Sequence, residues 1–222
     1  MHLEEPDLRA IIATTRRQYD ENALAYAAKT DDLAYFPGLQ AELERFHAAL
    51  PRGPVLDLGC GAGRDTWHLV SLGTEVVSGD LSVKLLKITG RGQQRNLVQL
   101  DLMDLPFRDG AFAGVWVSGG LLHLPSSSHP RAFREIHRVL AVGGVTSISL
   151  REGEFEGWRK GERMEEDRWF TLRHPDHVTA EMECAGFDSV TWTHCGRRNW
   201  FIVEAIRSGE PTPRDEAQAG SA

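Results

Sequence analysis

The chain has 222 residues, of which 41% are hydrophobic and 26% are charged, and its formal net charge is −7. This length and composition indicate one globular domain with a small elaboration rather than two domains. The acidic balance argues against a general affinity for nucleic acid, which requires a basic face.

Three widely spaced cysteines form no CxxC pair, so the sequence predicts neither a disulfide framework nor a zinc site. The first ten residues carry three acidic side chains and no apolar run, so we expect no signal peptide. No stretch approaches the roughly 18 apolar residues of a membrane span. We therefore expect a cytoplasmic protein that binds no metal, no nucleic acid and no membrane.

Residues 1–50 are predicted to form a helical cap that precedes the main domain. Residues 3–30 are predicted as a helix. One face of it carries residues at the spacing i, i+3, i+4, i+7, namely Tyr19, Asn22, Ala23 and Tyr26. A second helix with an apolar stripe follows the Pro37-Gly38 break, and a Pro- and Gly-rich loop at 51–54 ends it.

From residue 55 onward, short β-rich runs alternate with helical segments. The predicted strands, in chain order, are 55–58, 74–78, 96–100, 112–118 and 145–150. Helices fit between them, for example at 82–89 and 129–140. Strands that alternate with helices pair in parallel through right-handed crossovers, so we predict an α/β domain over residues 51–207.

The end of the chain follows a different pattern. A helix at 174–184 precedes two strands, 187–193 and 200–206, that are joined by a short turn and are therefore antiparallel to each other. The predicted sheet is thus mostly parallel, with an antiparallel last strand. Residues 208–222 are rich in Gly, Pro, Ser and charge, and we expect this tail to be disordered.

The strongest local signal is the segment VLDLGCGAG, from Val55 to Gly63. Glycines at the first strand-to-helix turn allow a tight turn and close approach of a ligand. The spacing is G-x-G-x-G and does not match the dinucleotide fingerprint G-x-G-x-x-G, because the sixth position counted from Gly59 is Arg64. Asp57 at the loop entrance would repel a pyrophosphate, so these residues favour a cationic, nucleoside-like ligand.

Two further carboxylates end the next predicted strands. Asp80 lies 21 residues after Gly59, which is the placement expected for a carboxylate that holds ribose hydroxyls. Asp101 ends the third strand, where it can accept from an adenine amino group. Either residue alone could be a helix cap or a loop carboxylate. Together with the glycine loop they indicate a nucleoside site at the carboxyl ends of the strands.

These residues resemble the class I S-adenosylmethionine-dependent methyltransferases, and in particular their type 11 branch. The resemblance covers residues 50–150 well and the strand pair at 187–206 more loosely. It rests on DLGCGAG at 57–63, DLMDLPF at 101–107 with DGAF at 109–112, and EIHRVL at 135–140 with GG at 143–144. It implies a Rossmann-like, seven-stranded sheet with helices on both faces.

The resemblance also implies which residues bind S-adenosylmethionine. They are Tyr19, Tyr26, Asp57, Gly59, Cys60, Gly61, Gly63, Asp80, Leu81, Asp101, Leu102 and Ser118. The glycines would pack under the methionine part, Asp80 would hold the ribose, Asp101 would frame the adenine, and Ser118 would lie beside the sulfonium. The tyrosines would cover the cofactor, although ordinary packing of an amphipathic helix is the alternative.

The implied activity is methyl transfer to an oxygen or nitrogen atom of a small molecule, such as a secondary metabolite, by a monomer or homodimer. His123 is the candidate general base because histidine titrates near neutrality, and a structural loop histidine is the alternative. Residues 151–173 suit a substrate lid or, equally, a solvated loop. Two rival functions are a cofactor-binding protein without turnover and an NAD-dependent oxidoreductase.

Overall fold

The computed structural model describes residues 7–92, 94 and 96–209. Its helices are α1 (Leu8–Glu21), α2 (Ala23–Ala27), α3 (Leu39–Ala49), α4 (Arg64–Ser71), α5 (Val83–Thr89), α6 (His129–Val139) and α7 (Pro175–Cys184). Its strands are β1 (Val55–Leu58), β2 (Val76–Asp80), β3 (Leu97–Gln99), β4 (Phe112–Ser118), β5 (Leu140–Arg151), β6 (Glu156–Gly161), β7 (Met164–Thr171), β8 (Phe187–His194) and β9 (Trp200–Arg207).

Seven of these strands form one sheet in the order β3-β2-β1-β4-β5-β9-β8. Strands β1 to β5 pair in parallel, and β9 pairs antiparallel with both β5 and β8. The predicted α/β fold with an antiparallel last strand is therefore confirmed. The strand order reverses between β1 and β4, and in open α/β sheets this reversal opens a crevice at the carboxyl ends of the strands.

Both faces of the sheet are covered by helices, because its central strands are apolar on both sides. One face packs against α6 and α7 through side chains such as Phe133 and Met182. The other packs against α3 and α4, where the ring centroids of Phe46 and Trp116 lie 5.3 Å apart. This two-sided burial fixes the strands, and thereby the loops that follow them.

The N-terminal helix differs from its prediction. Instead of one helix over 3–30, α1 ends at Glu21 and α2 begins at Ala23. The chain bends at Asn22, whose backbone has φ −107° and ψ 11° and whose side-chain amide donates to the Gln18 carbonyl. Residues 1–6, and residues 210–222 of the tail expected to be disordered, lie outside the described residues.

The segment 151–173, which suited either a lid or a solvated loop, contains a β-hairpin. Strands β6 and β7 pair antiparallel as a separate two-stranded sheet. Strand β6 is largely exposed, whereas β7 buries the run from Arg168 to Thr171 and lies against α1. Within the part of the chain that the structure describes, no helix has the length and apolar character needed to cross a bilayer.

Two positions in β5 test how the core stabilises the fold. Ile148 is fully buried and Val142 is 66% exposed. We expect Ile148→Ala to lower the free energy of unfolding by about 2–5 kcal/mol, because it removes buried methyl groups and leaves a cavity. Val142→Ala is the matched control and should change that energy by less than about 0.5 kcal/mol. Urea denaturation measures both, and equal losses would contradict the assigned orientation of β5.

Candidate functional site

A cavity of about 750 Å³, including its open mouth, lies at the carboxyl edge of the sheet. We call it the first cavity. Its floor is formed by the loop after β1 and by the residues that end β2, β3 and β4, and helix α1 forms its roof. Its position is therefore the crevice that the strand order predicts.

The glycine loop turns tightly, and its backbone N–H groups donate hydrogen bonds within the protein. The backbone N–H groups of Gly59 and Cys60 both donate to the Gly79 carbonyl, with N···O distances of 2.7 and 3.0 Å. Gly61, at φ +57°, donates its N–H to the carboxylate of Asp80 over 2.9 Å. These three amides are therefore unavailable to a pyrophosphate, which binds through free N–H groups at such a loop. The geometry disfavours a dinucleotide.

Asp80 joins the glycine loop to helix α5. One carboxylate oxygen accepts from the Gly61 amide and the other from the Ser82 amide, over 2.9 and 2.8 Å. Burial raises the pKa of Asp80 to about 6. Each carboxylate oxygen has a further lone pair, so the group can still accept hydrogen bonds from a ligand in the cavity.

Asp57 occupies a different place from the one its sequence position suggested. It is 1% exposed, lies below the loop, and accepts a hydrogen bond of 2.5 Å from the Thr66 hydroxyl. Burial and the nearby charge of Asp65 raise the pKa of Asp57 to about 8. Its side chain is not part of the lining of the first cavity, and its hydrogen bond to Thr66 joins β1 to the first turn of α4.

The roof of the first cavity is held by a chain of hydrogen bonds through Tyr19. The Tyr19 hydroxyl oxygen lies 2.8 Å from His123 Nε2 and 2.8 Å from Arg168 Nη1. His123 Nδ1 lies 2.7 Å from the Trp169 carbonyl oxygen, which can only accept. His123 therefore carries its proton on Nδ1, Tyr19 donates to Nε2, and Arg168 donates to Tyr19.

This arrangement bears on the predicted role of His123 as a base. Burial, together with the charge of Arg168, lowers the pKa of His123 to about 4, so the ring is neutral near pH 7. Its one lone pair accepts from Tyr19, whose own pKa burial raises. Base catalysis by His123 stays a prediction from the sequence, and this geometry favours a role in positioning Tyr19.

A second cavity, of about 1530 Å³ including open space, adjoins the first. Its walls come from the segment between α2 and α3, the β6–β7 hairpin, and the turn between β8 and β9. The two cavities share the lining residues Tyr19, Tyr26, Ser118, Gly119 and His123. The two cavities therefore have part of their lining in common.

The structure brings most of the sequence-predicted site residues together. Those in the lining of the first cavity are Tyr19, Tyr26, Gly59, Gly61, Asp80, Leu81, Asp101, Leu102, Ser118 and His123. Asp57, Cys60 and Gly63 are not in that lining: Cys60 is 8% exposed, and Gly63 is the N-cap of α4.

Sequence reasoning missed eight lining residues. They are Ile12, Thr15, Arg16, Ser82, Leu85, Gly119, Gly120 and Leu124. The adjacent glycines directly after β4 were a usable signal, because a second glycine turn at a strand's carboxyl end allows close approach of a ligand. The residues on α1 had no such signal.

Comparison with known proteins agrees with this geometry. Residues 56–148 match the family model described as a methyltransferase domain. An uncharacterized methyltransferase of Synechocystis is 36% identical over 116 residues, which cover 47% of this chain and 53% of that protein. The demethylmenaquinone methyltransferase of Corynebacterium kroppenstedtii is 37% identical over 98 residues, which cover 44% and 42%.

A solved structure of similar fold is the 1,6-didemethyltoxoflavin-N1-methyltransferase of Burkholderia thailandensis, with its namesake substrate and S-adenosylhomocysteine bound. The TM-score is 0.72 at 18% identity, over 94% of this chain and 93% of that one, and this likeness concerns the fold. The chain spans about half the length of the curated relatives it matches. Over residues 56–148, which are less than half of the chain, this protein is therefore similar to a methyltransferase domain.

Proposed function

We propose that this protein transfers a methyl group from S-adenosylmethionine to an oxygen or nitrogen atom of a small molecule. The observation that carries the proposal is the first cavity. Its lining combines Asp80 at the end of β2, Asp101 two residues after the end of β3, and a glycine loop that has no free amide at positions 59–61. Such a site suits a nucleoside with a cationic group better than a dinucleotide.

The residues of the first cavity fit this cofactor. Asp80 offers carboxylate lone pairs to ribose hydroxyls, and Leu81 and Leu102 offer apolar surface to a base. Gly61 has φ +57°, a backbone conformation that favours glycine, and a Cβ added there would be in ordinary van der Waals contact with the Tyr26 ring at 3.8 Å. The Thr15 hydroxyl, also in the lining, is buried without a hydrogen-bond partner among the described residues.

The chain's own contribution to the reaction is to bring two ligands together. When bound, S-adenosylmethionine supplies a methyl group attached to a positively charged sulfur. Tyr19, Tyr26 and Ser118 line both cavities, so they can fix the relative position of cofactor and acceptor. Alignment of two reactants at close distance accounts for a large part of the rate enhancement in such displacements.

The second cavity supports a small-molecule acceptor. It opens beside the first and is enclosed on three sides by the N-terminal segment, the hairpin and the β8–β9 turn. This proposal is supported by a protein of similar sequence named as a demethylmenaquinone methyltransferase and by one of similar fold named as a 1,6-didemethyltoxoflavin methyltransferase. Because five residues line both cavities, an acceptor in the second cavity would lie next to a cofactor in the first.

Calorimetry with S-adenosylhomocysteine tests the cofactor site. We expect binding in the micromolar range, weakened at least about tenfold by Asp80→Asn, because the neutral amide loses charge-assisted hydrogen bonds. Glu75→Gln is the matched control, since Glu75 is exposed and precedes β2 at the opposite edge of the sheet. Binding of NAD in place of S-adenosylhomocysteine would overturn the proposal.

The pH dependence of the same binding tests the role of the Asp80 carboxylate. Its pKa is raised to about 6, so the group is ionised above that pH and protonated below it. Because the ionised form is the stronger acceptor, affinity should be constant above about pH 7 and should fall as the pH drops through 6. Calorimetry from pH 5 to 8 measures this, with Asp80→Asn as the control that should give a flat profile. A flat profile in the unmodified protein would exclude this role.

A further inference from the structure

We infer that the acceptor is a small organic anion that binds in the second cavity, with Arg168 as its main counter-ion. The inference rests on the proposed function and assigns the acceptor a chemical class, a carboxylate or a phosphoryl group. It follows from the charges that line the second cavity, from the burial of Arg168, and from its contact with Tyr19.

The second cavity is strongly basic although the chain carries a net charge of −7. Among the described residues, the only acidic one in its lining is Glu162, whereas the basic lining residues are Arg64, Arg151, Arg163, Arg168, Arg197 and Arg198. Three of the six have carboxylate partners, in the pairs Arg64–Asp65, Arg151–Glu162 and Arg197–Glu42. The other three have no carboxylate oxygen within 4.0 Å among the described residues.

Arg168 is the most significant of these because it is only 3% exposed. Its guanidinium lies 5.1 Å from the Tyr19 ring centroid and 5.2 Å from that of Phe170, and Nη1 donates to the Tyr19 hydroxyl. Its Nε is buried without a hydrogen-bond partner in the part of the chain described. A buried charge of this kind is costly unless it is neutralised, and a bound anion would supply the missing counter-charge.

Two other arginines in the lining also lack a carboxylate partner among the described residues, and both are less buried than Arg168. Arg163 donates to the backbone carbonyl oxygens of Lys29 and Tyr35, and its guanidinium lies 4.4 Å from the Phe36 ring centroid. Arg198 is exposed to solvent. Positive charge thus runs from the surface to the buried Arg168, and such an arrangement raises the local concentration of anions.

Arg168 also lies next to the wall that the two cavities share. Its hydrogen-bond partner Tyr19 lines both cavities, so an anion that contacts Arg168 is one side chain away from the first cavity. A planar guanidinium binds the two oxygens of a carboxylate or phosphoryl group in parallel and thereby fixes their orientation. The same contact that neutralises Arg168 would therefore hold the acceptor against the cofactor.

Fluorine NMR titrations test this inference with probes of defined charge. The protein is first saturated with S-adenosylhomocysteine, and 4-fluorobenzoate, 4-fluorophenyl phosphate, neutral 4-fluorobenzamide and cationic 4-fluorobenzylamine are then added separately. We expect at least one anion to bind at least about tenfold more tightly than the amide, and the amine to bind no better than the amide. If the amide or the amine binds as tightly as both anions, the inference fails.

Three variants locate the anion. Arg168→Met should weaken anion binding at least about tenfold, because it removes the charge and the paired donors. Arg198→Glu should weaken it about threefold and more at low salt, because it reverses an exposed charge. Arg159→Met is the matched control: it lies on the same hairpin and its guanidinium contacts the Phe155 and Phe170 rings, but it does not line the cavity.

The readouts separate this inference from the proposed function. If the unmodified protein does not bind S-adenosylhomocysteine, the cofactor proposal is contradicted. If it binds S-adenosylhomocysteine but does not prefer anions over the neutral and cationic probes, only the inference of an anionic acceptor is contradicted. If Arg168→Met fails to fold, as its circular dichroism and melting temperature would show, the decision rests on Arg198→Glu. Unchanged anion affinity in that variant would then overturn the assignment to this cavity.

Discussion

The rest of the site depends on the two hydrogen bonds that the Tyr19 hydroxyl group makes. It accepts from Arg168 on β7 and donates to His123 in the turn after β4, so one oxygen atom connects α1, the hairpin and the sheet. The Trp169 carbonyl can only accept, so His123 carries its proton on Nδ1 and Tyr19 donates to Nε2. Arg168 can only donate, which fixes the direction of its bond to Tyr19. This chain of hydrogen bonds therefore connects the roof of the first cavity to the wall of the second.

The two cavities differ in charge on either side of this tyrosine. The first is lined by the carboxylates of Asp80 and Asp101 and by Arg16, and the second is lined by six arginines and one glutamate. This separation matches the chemistry proposed for the site, in which a donor with a positive sulfur meets an acceptor with a negative group. The lining therefore carries an excess of negative charge in the first cavity and of positive charge in the second, which favours a cationic ligand in the one and an anionic ligand in the other.

Much of the fold followed from local patterns in the sequence. The run from Phe112 to Ser118 was predicted as a strand with the bounds that the structure gives it, because a buried parallel strand is apolar without interruption. The positions of the glycine loop and of Asp80 at the carboxyl edge of the sheet were also predicted, because the spacing of residues along the chain indicates where strands end and where the backbone turns. Side chains of this kind are positioned by the elements on which they lie.

Other features depended on contacts distant in sequence and could not be predicted. Strands β6 and β7 carry many charged residues, so no alternating apolar pattern indicated a hairpin, and the significance of Arg168 lies in its partner 149 residues away. Asp57 was expected at the surface of the site because it precedes the glycines. Its burial against Thr66 depends on how α4 packs below the loop, which spacing along the chain does not reveal.

The wall shared by the two cavities has a consequence for how the ligands affect one another. An acceptor that stabilises the hydrogen bonds of Tyr19 would also strengthen cofactor binding. The coupling free energy between two sites is reciprocal, so the cofactor would strengthen acceptor binding by the same factor. The spent cofactor, which lacks the positive sulfur, would lose its part of that coupling to an anion. Turnover would then weaken the mutual attraction of the two bound molecules and favour their departure.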